Sequence, residues 1–377
     1  AVLGMACPSA TGIALFGDVF VGALKAVAPL LVFFLIISSL CHSGKSHGGV
    51  IKTVIILYMF STFLAALVAV IASFAFPVTL TLADAATDLS APQGIAEVMK
   101  SLLMNIVSNP VASIINANYI GILAWAVLFG IGLRGAKEET KKMFDDISNG
   151  LSKVVTWIVS FAPLGIMGLV FNTVSTNGLS IFTEYGKLLL VLVGSMLFIY
   201  FVSNPVLVFW CIRQNPFPLI FRCLKKSAIT AFFTRSSAAN IPINMEACEE
   251  MGLDKDTYSV TIPLGATINM DGAAITITVM ALATAHTLGI AVDIPSAVIL
   301  SVLATLAACG ASGVAGGSLL LIPMACSLFG IPNDIAMQVV GVGFIIGVIQ
   351  DSVETALNSS SDLLLSASAE FRQWRKE

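Results

Sequence analysis

Long apolar runs separated by short polar connectors fill most of the chain. A helix needs about 20 apolar residues to cross a bilayer, so such runs are typical of membrane-spanning helices. The pattern predicts an all-α polytopic membrane protein. The predicted spans are residues 13 to 41, 50 to 76, 119 to 133, 151 to 173, 186 to 211, 257 to 283 and 335 to 365.

Composition supports the same class. Hydrophobic residues make up 57% of the 377 residues and charged residues only 11%, and the mean hydropathy is +0.95. Soluble domains carry about 25% charged residues. The net charge of -3 indicates little about partners, and no basic stripe suggests nucleic-acid binding.

Lysine and arginine are concentrated in alternate connectors, which indicates the cytoplasmic ends of the helices. We expect the connectors near Lys45, Arg134 and Arg213 to be cytoplasmic, and the acidic connectors at 77 to 105 and 174 to 186 to face outward. The chain opens with AVLGMACPSATG, which looks like the end of an earlier span, so we expect a further helix to precede it.

The last apolar segment carries a polar face. Asp351, Glu354, Asn358 and Asp362 project into an arc of about 80° on a helix. Each carboxylate at the centre of a bilayer costs about 2.5 to 3.5 kcal/mol, so three on one helix need a bundle interior, a cavity or bound cations. The alternative, a solvated face of a soluble helix, is disfavoured by the apolar remainder of the chain.

Two segments are each built from two apolar arms joined by a polar, glycine- or serine-containing tip. The tips read TRSSAANIP and CGASGVAGG, within segments that run from Pro216 to about Glu249 and from Pro295 to Ile331. An arm of about 14 residues reaches roughly 20 Å, short of a hydrocarbon core of about 30 Å. Each pair therefore reads as a re-entrant hairpin, as in secondary transporters. A flexible loop outside the membrane is the alternative.

A third interruption lies in TIPLGATINMDGAAITITV. Gly265, Asn269, Asp271 and Gly272 break an otherwise apolar span, so this helix is predicted to unwind at mid-depth and expose carbonyl groups that bind a cation such as Na+. The same NMDG sequence also occurs in ordinary turns.

Cysteine and histidine do not indicate a transition-metal or redox site. The seven cysteines show no CxxC spacing and are expected to be small core residues. His42 and His47 lack a carboxylate or cysteine cluster, and His286 ends a helix.

The runs TRSSAANIP, LGATINMDGAA, GASGVAGG and QDSVETALNSSSD, in this order, resemble the dicarboxylate/amino acid:cation symporter family, and within it the bacterial serine/threonine:sodium symporters. The resemblance covers nearly the whole chain. It implies a glutamate-transporter-like fold in the bacterial cytoplasmic (inner) membrane, a homotrimer surrounded by lipid, and an elevator mechanism in which a mobile transport domain moves substrate and Na+ past a fixed scaffold.

The resemblance also implies a division of the chain. Residues 1-42 and 105-176 would form the scaffold and oligomerisation region, and 50-82 and 185-371 the transport domain. Within the latter it implies hairpin one at about 216-250, the NMDG helix at 256-283, hairpin two at about 293-331 and a final helix at 332-371.

Residue roles follow from the same resemblance. Asp351 would bind the amino group of the substrate and Asn358 its carboxylate. The implied substrate-binding set is Arg235, Ser236, Ser237, Gly313, Val314, Asp351, Glu354, Thr355 and Asn358. The implied first Na+ site is Gly265, Asn269, Asn358 and Asp362; the second is Thr267, Ala308, Cys309 and Ala311; the third is Tyr58, Ser61, Thr62 and Asp271. Tyr58, Ser61 and Thr62 are alternatively helix-packing polar residues.

Two departures from the family pattern bear on the substrate. Members that carry aspartate, glutamate or dicarboxylates have arginine at the position of Glu354 and threonine at that of Ala273. Without the bidentate arginine fork, a second substrate carboxylate would be unpaired and repelled. The prediction is Na+-coupled uptake of L-serine and L-threonine, with Glu354 either paired with Arg235 or accepting the substrate hydroxyl. The family pattern is also changed at Gly347 and in the GVAG sequence of the second tip. These two changes do not allow the number of Na+ ions or the stiffness of the second hairpin to be predicted.

Three alternatives stand beside this prediction. The first is a Na+-coupled symporter of acidic amino acids or dicarboxylates. The second is an intramembrane serine protease, suggested by GASG at 310 to 313, although no histidine follows Ser312. The third is a Na+ channel, which two hairpins flanking an amino-acid-sized site disfavour.

Overall fold

The computed structural model describes residues 10-41, 49-82, 100, 103-104, 106-177, 181-309, 311 and 316-375. The opening residues 1-9, from which we predict a preceding helix, lie outside this part of the chain, as does most of the tip of the second hairpin. The described residues form helices with short connections. The prediction of an all-α protein is confirmed.

The helices fall into short and long classes, and several long ones are interrupted. In chain order they are α1 (Ala14–Cys41), α2 (Gly49–Ala75), α3 (Pro110–Ile115), α4 (Tyr119–Gly132), α5 (Glu138–Ser160), α6 (Ala162–Asn177), α7 (Ile181–Phe198), α8 (Asn204–Ile212), α9 (Phe217–Cys223), α10 (Ile229–Thr234), α11 (Ser237–Glu250), α12 (Lys255–Ile268), α13 (Asp271–Thr287), α14 (Ile294–Ala308), α15 (Ile322–Ser327) and α16 (Asn333–Trp374). Single π-helical turns join α7 to α8 and α9 to α10.

Five helical stretches in the described residues are long and apolar enough to cross a membrane. They confirm a multi-pass membrane protein. The stretches are Thr11–Ser38, Gly49–Ala75, Thr183–Ile212, Lys255–Thr287 and Asn333–Trp374.

The predicted span at 151 to 173 is bent rather than a single straight helix. Helix α5 ends at Ser160, α6 begins at Ala162, and their axes differ by 54°. Pro163 lies in the first turn of α6, where its missing N–H costs least, whereas inside a continuous helix its ring favours a kink or a break. The apolar composition continues across the bend, so hydropathy alone did not reveal it.

The predicted break at the NMDG sequence is present. Helix α12 ends at Ile268, Asn269 and Met270 have non-helical backbone angles, and α13 begins at Asp271. The tip of the first hairpin is equally sharp: Arg235 adopts a left-handed conformation with φ of 49°, and Ser236 is extended before α11 starts. The placement of both hairpins within a bilayer stays a prediction.

Helix α16 organises the packing. It contacts α2, the arms of the first hairpin, and both halves of the broken α12 and α13 pair. A second group is built around α1, which packs on α4, α5 and α6. These groups follow the predicted transport domain and scaffold, whose functional division stays a prediction.

Six cysteines in the described residues are buried and free, in line with the prediction that they fill core positions. Cys7 lies outside the described part of the chain. His286 lies in the last turn of α13.

Candidate substrate and cation site

The polar face predicted on α16 is buried inside the helix bundle. Asp351, Glu354, Thr355, Asn358 and Asp362 are each between 1% and 7% exposed. The interpretation as a solvated helix face is therefore wrong. Because ionised groups are costly to bury without partners, the partners of each side chain indicate its chemistry.

Asp351 faces the tip of the first hairpin. The Arg235 Nε atom lies 3.5 Å from Asp351 Oδ2. Both side chains line a cavity of about 440 Å³, which is large enough for an amino acid. Its other walls include Gly347 and, across the cavity, the bend between α5 and α6 at Ser160.

Glu354 lies one turn further along α16 and does not pair with Arg235, so that expectation is wrong. The hydroxyl groups of Thr276 and Ser318 donate to its Oε2 atom at 2.7 and 2.9 Å, and the Gln350 amide donates to the same oxygen. Arg235 reaches Asp351 instead. Glu354 therefore lies among neutral donors, and the second expected role, accepting a substrate hydroxyl, stays a prediction.

Asn358 caps the helix that begins after the break. Its side-chain Oδ1 accepts from the Gly272 N–H at 2.7 Å, in the first turn of α13. Its Nδ2 lies 3.4 Å from Met270 Sδ, a weak acceptor. A Cβ atom at position 272 would lie 2.9 Å from Cα and Cγ of Glu354, so only glycine permits this approach of α13 to α16.

Asp362 and Asn269 meet beside the same break. Asn269 Nδ2 donates to Asp362 Oδ1 at 2.9 Å. Asp362 Oδ2 and Asn269 Oδ1 are buried and have no hydrogen-bond partner in the described part of the structure. Buried unpaired oxygen atoms are costly, and a bound hard cation is one way to satisfy them. Gly265 lies against Asp362, where a Cβ atom would come within 2.8 Å of the carboxylate.

The residues predicted for a third cation site divide into two groups. The hydroxyls of Ser61 and Thr62 donate to the two oxygens of Asp271 at 2.8 and 3.2 Å. Tyr58 instead lies near the Asp362 backbone carbonyl, with its hydroxyl 3.0 Å away, and 2.7 Å from Ser366 Oγ. The Tyr58 hydroxyl thus lies in the surroundings of Asp362, and the assignment of Tyr58 to the third cation site stays a prediction.

The residues predicted for the second cation site lie at the ends of α12 and α14. Cys309 Sγ lies 3.8 Å from the Ile268 carbonyl, which brings the end of α14 beside the break after α12. The Ala311 N–H donates to the Ala308 carbonyl at 2.9 Å, and the Thr267 hydroxyl donates to the Leu264 carbonyl. Their role in binding Na+ stays a prediction.

The first hairpin tip lies within the described residues, whereas most of the second tip lies outside them. In the first tip, the Ser236 side chain accepts from the Ala239 N–H and caps α11, which begins at Ser237. In the second tip, Gly313 and Val314, assigned to substrate binding, lie outside the described residues, as does Ser312 of the protease alternative.

Comparison with known proteins identifies the chain. The model of the sodium:dicarboxylate symporter family matches residues 1–370. The chain belongs to the sodium:dicarboxylate symporter family. A protein named serine/threonine transporter SstT from Bifidobacterium adolescentis is 59% identical over 377 residues, which are 100% of this chain and 88% of that protein. Two proteins of the same name from strains of Streptococcus thermophilus are 57% and 58% identical over 100% of this chain and 94% of their own length.

Membership of this symporter family excludes the protease alternative, since the family and its relatives are transporters and not enzymes. It also places the symporter in the bacterial cytoplasmic membrane, in line with its spanning helices. The described residues hold no group of three or more histidine, cysteine or acidic side chains that would suit a transition metal.

Several site residues of the symporter were not predicted. Gln350 precedes Asp351 and lies one helical turn before Glu354, so helical spacing could have identified it as a neighbour of Glu354. Thr276 and Ser318 lie in apolar or glycine-rich runs with no local feature that sets them apart. Asn204, whose Nδ2 donates to Ser361 Oγ at 3.1 Å, extends the polar network around Asp271 and is likewise invisible in the sequence pattern.

Proposed function

We propose that this protein couples Na+ entry to the uptake of L-serine and L-threonine. The observation that carries the proposal is the pair of carboxylates on α16. A symporter of dicarboxylates needs a cation for the second substrate carboxylate, whereas this chain has Glu354 there, and the only cation beside Asp351 in the described residues is Arg235. The relatives named serine/threonine transporter support the same substrate class.

In this proposal Asp351 binds the substrate ammonium group, because a carboxylate that lines a cavity of amino-acid size is suited to it. The Asn358 Nδ2 atom, whose one recorded contact is the weak acceptor Met270 Sδ, donates to the substrate carboxylate. Arg235, Ser236, Ser237 and Thr355 complete the site on the first hairpin and α16, with Gly313 and Val314 closing it from the second hairpin.

Glu354 is the proposed specificity residue. Its Oε2 oxygen already accepts from Thr276, Ser318 and Gln350, so the substrate hydroxyl would use the Oε1 oxygen. A second carboxylate on the substrate would meet Glu354 without a compensating cation, at a cost of several kcal/mol in a desolvated site. Small neutral amino acids carry no such charge.

The first proposed Na+ ion lies between Asp362 and Asn269, supported by their two unpartnered oxygens. The Gly265 carbonyl and Asn358 would complete this site. The second ion would lie by Thr267, Ala308, Cys309 and Ala311, and the third by Tyr58, Ser61, Thr62 and Asp271. Na+ supplies the charge that keeps the buried carboxylates stable and orders the site for substrate, which is the basis of coupling.

The homotrimer and the elevator movement are proposed from the family resemblance. Helix α1 packs more extensively on α4, α5 and α6 than on α16, which supports two bodies that move relative to each other.

The decisive experiment is uptake of radiolabelled L-serine into liposomes with and without an inward Na+ gradient, with excess L-aspartate as competitor. Gradient-driven uptake that aspartate does not reduce supports both the coupling and the role of Glu354. Competition by aspartate would overturn the substrate assignment. Uptake that ignores Na+ would overturn the cation sites.

A further inference from the structure

A cluster of arginines and tryptophans lies where the C-terminal ends of α8 and α16 meet. Cys211 of α8 packs with Leu365 and Ala369 of α16 in one buried cluster. The guanidinium groups of Arg372 and Arg375 both lie near enough to act electrostatically on the Cys211 thiol. The two helix ends therefore bring separate basic residues to one corner of the molecule.

We define the arginine corner as Trp210, Arg213, Arg372, Trp374 and Arg375. Arg213 and Arg375 are exposed and Arg372 is half-buried. Trp210 is 70% exposed and Trp374 is 47% exposed. Arginine beside exposed tryptophan is the arrangement that suits the boundary between lipid headgroups and acyl chains, where indole rings sit at headgroup level.

No acidic side chain in the described part of the chain pairs with the positive charges of this corner. None of its three guanidinium groups forms an ion pair or hydrogen bond with another residue in the described ranges. Among the described residues, the acid nearest in sequence to Arg372 is Glu370, which is 3% exposed and whose carboxylate accepts from the Asp254 N–H at 2.6 Å. Within the residues that the structure describes, the corner is thus a positive surface with no acidic side chain paired to it.

Other basic regions of the chain have acidic residues beside their lysines. In α5, Lys141 pairs with Glu138 at 3.1 Å, and Asp145 and Asp146 follow within two turns. At the base of the first hairpin, Lys226 donates to Glu250 at 2.7 Å and lowers the pKa of that carboxyl. These regions carry their own acids, so a general excess of cytoplasmic basic residues does not explain the unbalanced corner.

We propose that the arginine corner binds the headgroup of an anionic phospholipid. Three guanidinium groups provide donors for a phosphate and its negative headgroup, and the two tryptophans pack against the upper acyl chain. The positive charge of the corner complements the negative charge of such a headgroup. The corner lies at the ends of two membrane-spanning stretches, where headgroups are expected.

The corner lies on α16, the helix that carries Asp351 and Asp362. Under the proposed transport function, an anionic lipid held here would attach the end of the moving body to one leaflet. Anionic lipid would then change the rate of uptake without changing the binding of serine or Na+.

The binding test uses quenching of tryptophan fluorescence by brominated lipid in reconstituted vesicles. The chain has four tryptophans, and the variant W125F/W157F keeps only the two in the corner. Brominated phosphatidylglycerol in a phosphatidylcholine background should quench them more than brominated phosphatidylcholine does. If W125F/W157F does not fold, the four-tryptophan protein gives the same comparison at lower contrast.

The variant R213Q/R372Q/R375Q should remove this preference. Each basic residue near an anionic surface contributes about fivefold in affinity, so the triple variant should bind phosphatidylglycerol roughly a hundredfold more weakly. The matched control is K137Q/K141Q/K142Q, which removes three charges from the region of α5 and should leave the preference intact. Equal loss in the control, or a preference that survives in the triple arginine variant, overturns the proposal.

Uptake and binding measurements separate this proposal from the proposed function. Serine binding that depends on Na+, measured in detergent, tests the symporter alone and should be equal in the parent and the triple arginine variant. Quenching tests the lipid site alone. Loss of lipid preference with serine binding retained supports the corner, whereas absence of serine binding in the parent would overturn the transport function and leave the lipid result standing.

Discussion

Asn269 Nδ2 donates to Asp362 Oδ1 across the break between α12 and α13, at 2.9 Å. This single bond leaves one buried oxygen on each residue without a partner in the described structure. An aspartate that only stabilised the fold would be expected to use both oxygens, because an unpaired buried charge costs more than a hydrogen bond returns. The two unpartnered oxygens therefore support the proposed first Na+ site.

Asp362→Asn should weaken Na+ binding at least tenfold while serine binding at saturating Na+ is retained. The substitution keeps the shape of the side chain but removes the charge that a cation requires. Isothermal titration with Na+, followed by serine at high Na+, measures both. Asp334→Asn, on the exposed first turn of the same helix, is the control and should leave both affinities unchanged.

Asp351→Ala should have the opposite effect. Asp351 lines the cavity and lies beside Arg235 rather than beside the unpartnered oxygens, so serine binding should fall by at least a hundredfold while Na+ binding remains. Isothermal titration with Na+, followed by serine at high Na+, measures both affinities. Equal losses of both ligands in Asp351→Ala and Asp362→Asn would contradict the division of the site.

Helical spacing predicted the polar face of α16, because the side chains at one face of a helix follow from local geometry. The break at Asn269 was also predictable, since glycine and asparagine interrupt an apolar run there. In contrast, the partner of Arg235 depends on how the first hairpin docks on α16. Asp351 and Glu354 lie one turn apart, and the sequence does not show which of them Arg235 faces. Pairing with Arg235 was one of two roles expected of Glu354, and the structure pairs Arg235 with Asp351 instead.

The bend near Phe161 is a feature that the sequence pattern did not predict. Composition is apolar on both sides, so the hydropathy pattern predicted one span, and only Pro163 signalled a boundary. Thr276 could not be identified, because its neighbours in α13 are also small or β-branched. Its role depends on the approach of α13 to Glu354, which Gly272 permits.

Gly272→Ala should destabilise the protein by about 1 to 3 kcal/mol, because the added Cβ would lie 2.9 Å from the Glu354 Cα atom and the backbones would have to separate. Thermal unfolding in detergent measures the change. Gly194→Ala, also within a helix but with nothing within 4 Å of its added Cβ, is the matched control. Its melting temperature should stay the same or rise, and a parallel fall would show that the effect is not one of packing on Glu354.

Glu354→Gln should reduce the preference for serine over alanine. A hydrogen bond to a charged acceptor contributes about 1.5 to 3 kcal/mol, so the preference should fall by roughly 10 to 100-fold. Competition of unlabelled serine and alanine against radiolabelled serine gives the ratio. Alanine has no hydroxyl group, so its own affinity should change little; a proportional loss for both amino acids would indicate that Glu354 supports the fold rather than the hydroxyl.

Lys25 of α1 forms an ion pair with Asp334 at the start of α16, and thus joins the predicted scaffold to the predicted transport domain. Both side chains are substantially exposed, and such pairs contribute about 0 to 1 kcal/mol, so Lys25→Gln should barely change stability.

Joining positions 25 and 334 covalently should have a large effect on uptake. In K25C/D334C, a short bifunctional maleimide should abolish uptake and leave serine binding intact, because it prevents α16 from moving along α1. The control S38C/D145C joins α1 to α5 within the predicted scaffold, where Ser38 Oγ donates to Asp145 at 2.6 Å. Full uptake after both cross-links would contradict relative movement of the two bodies.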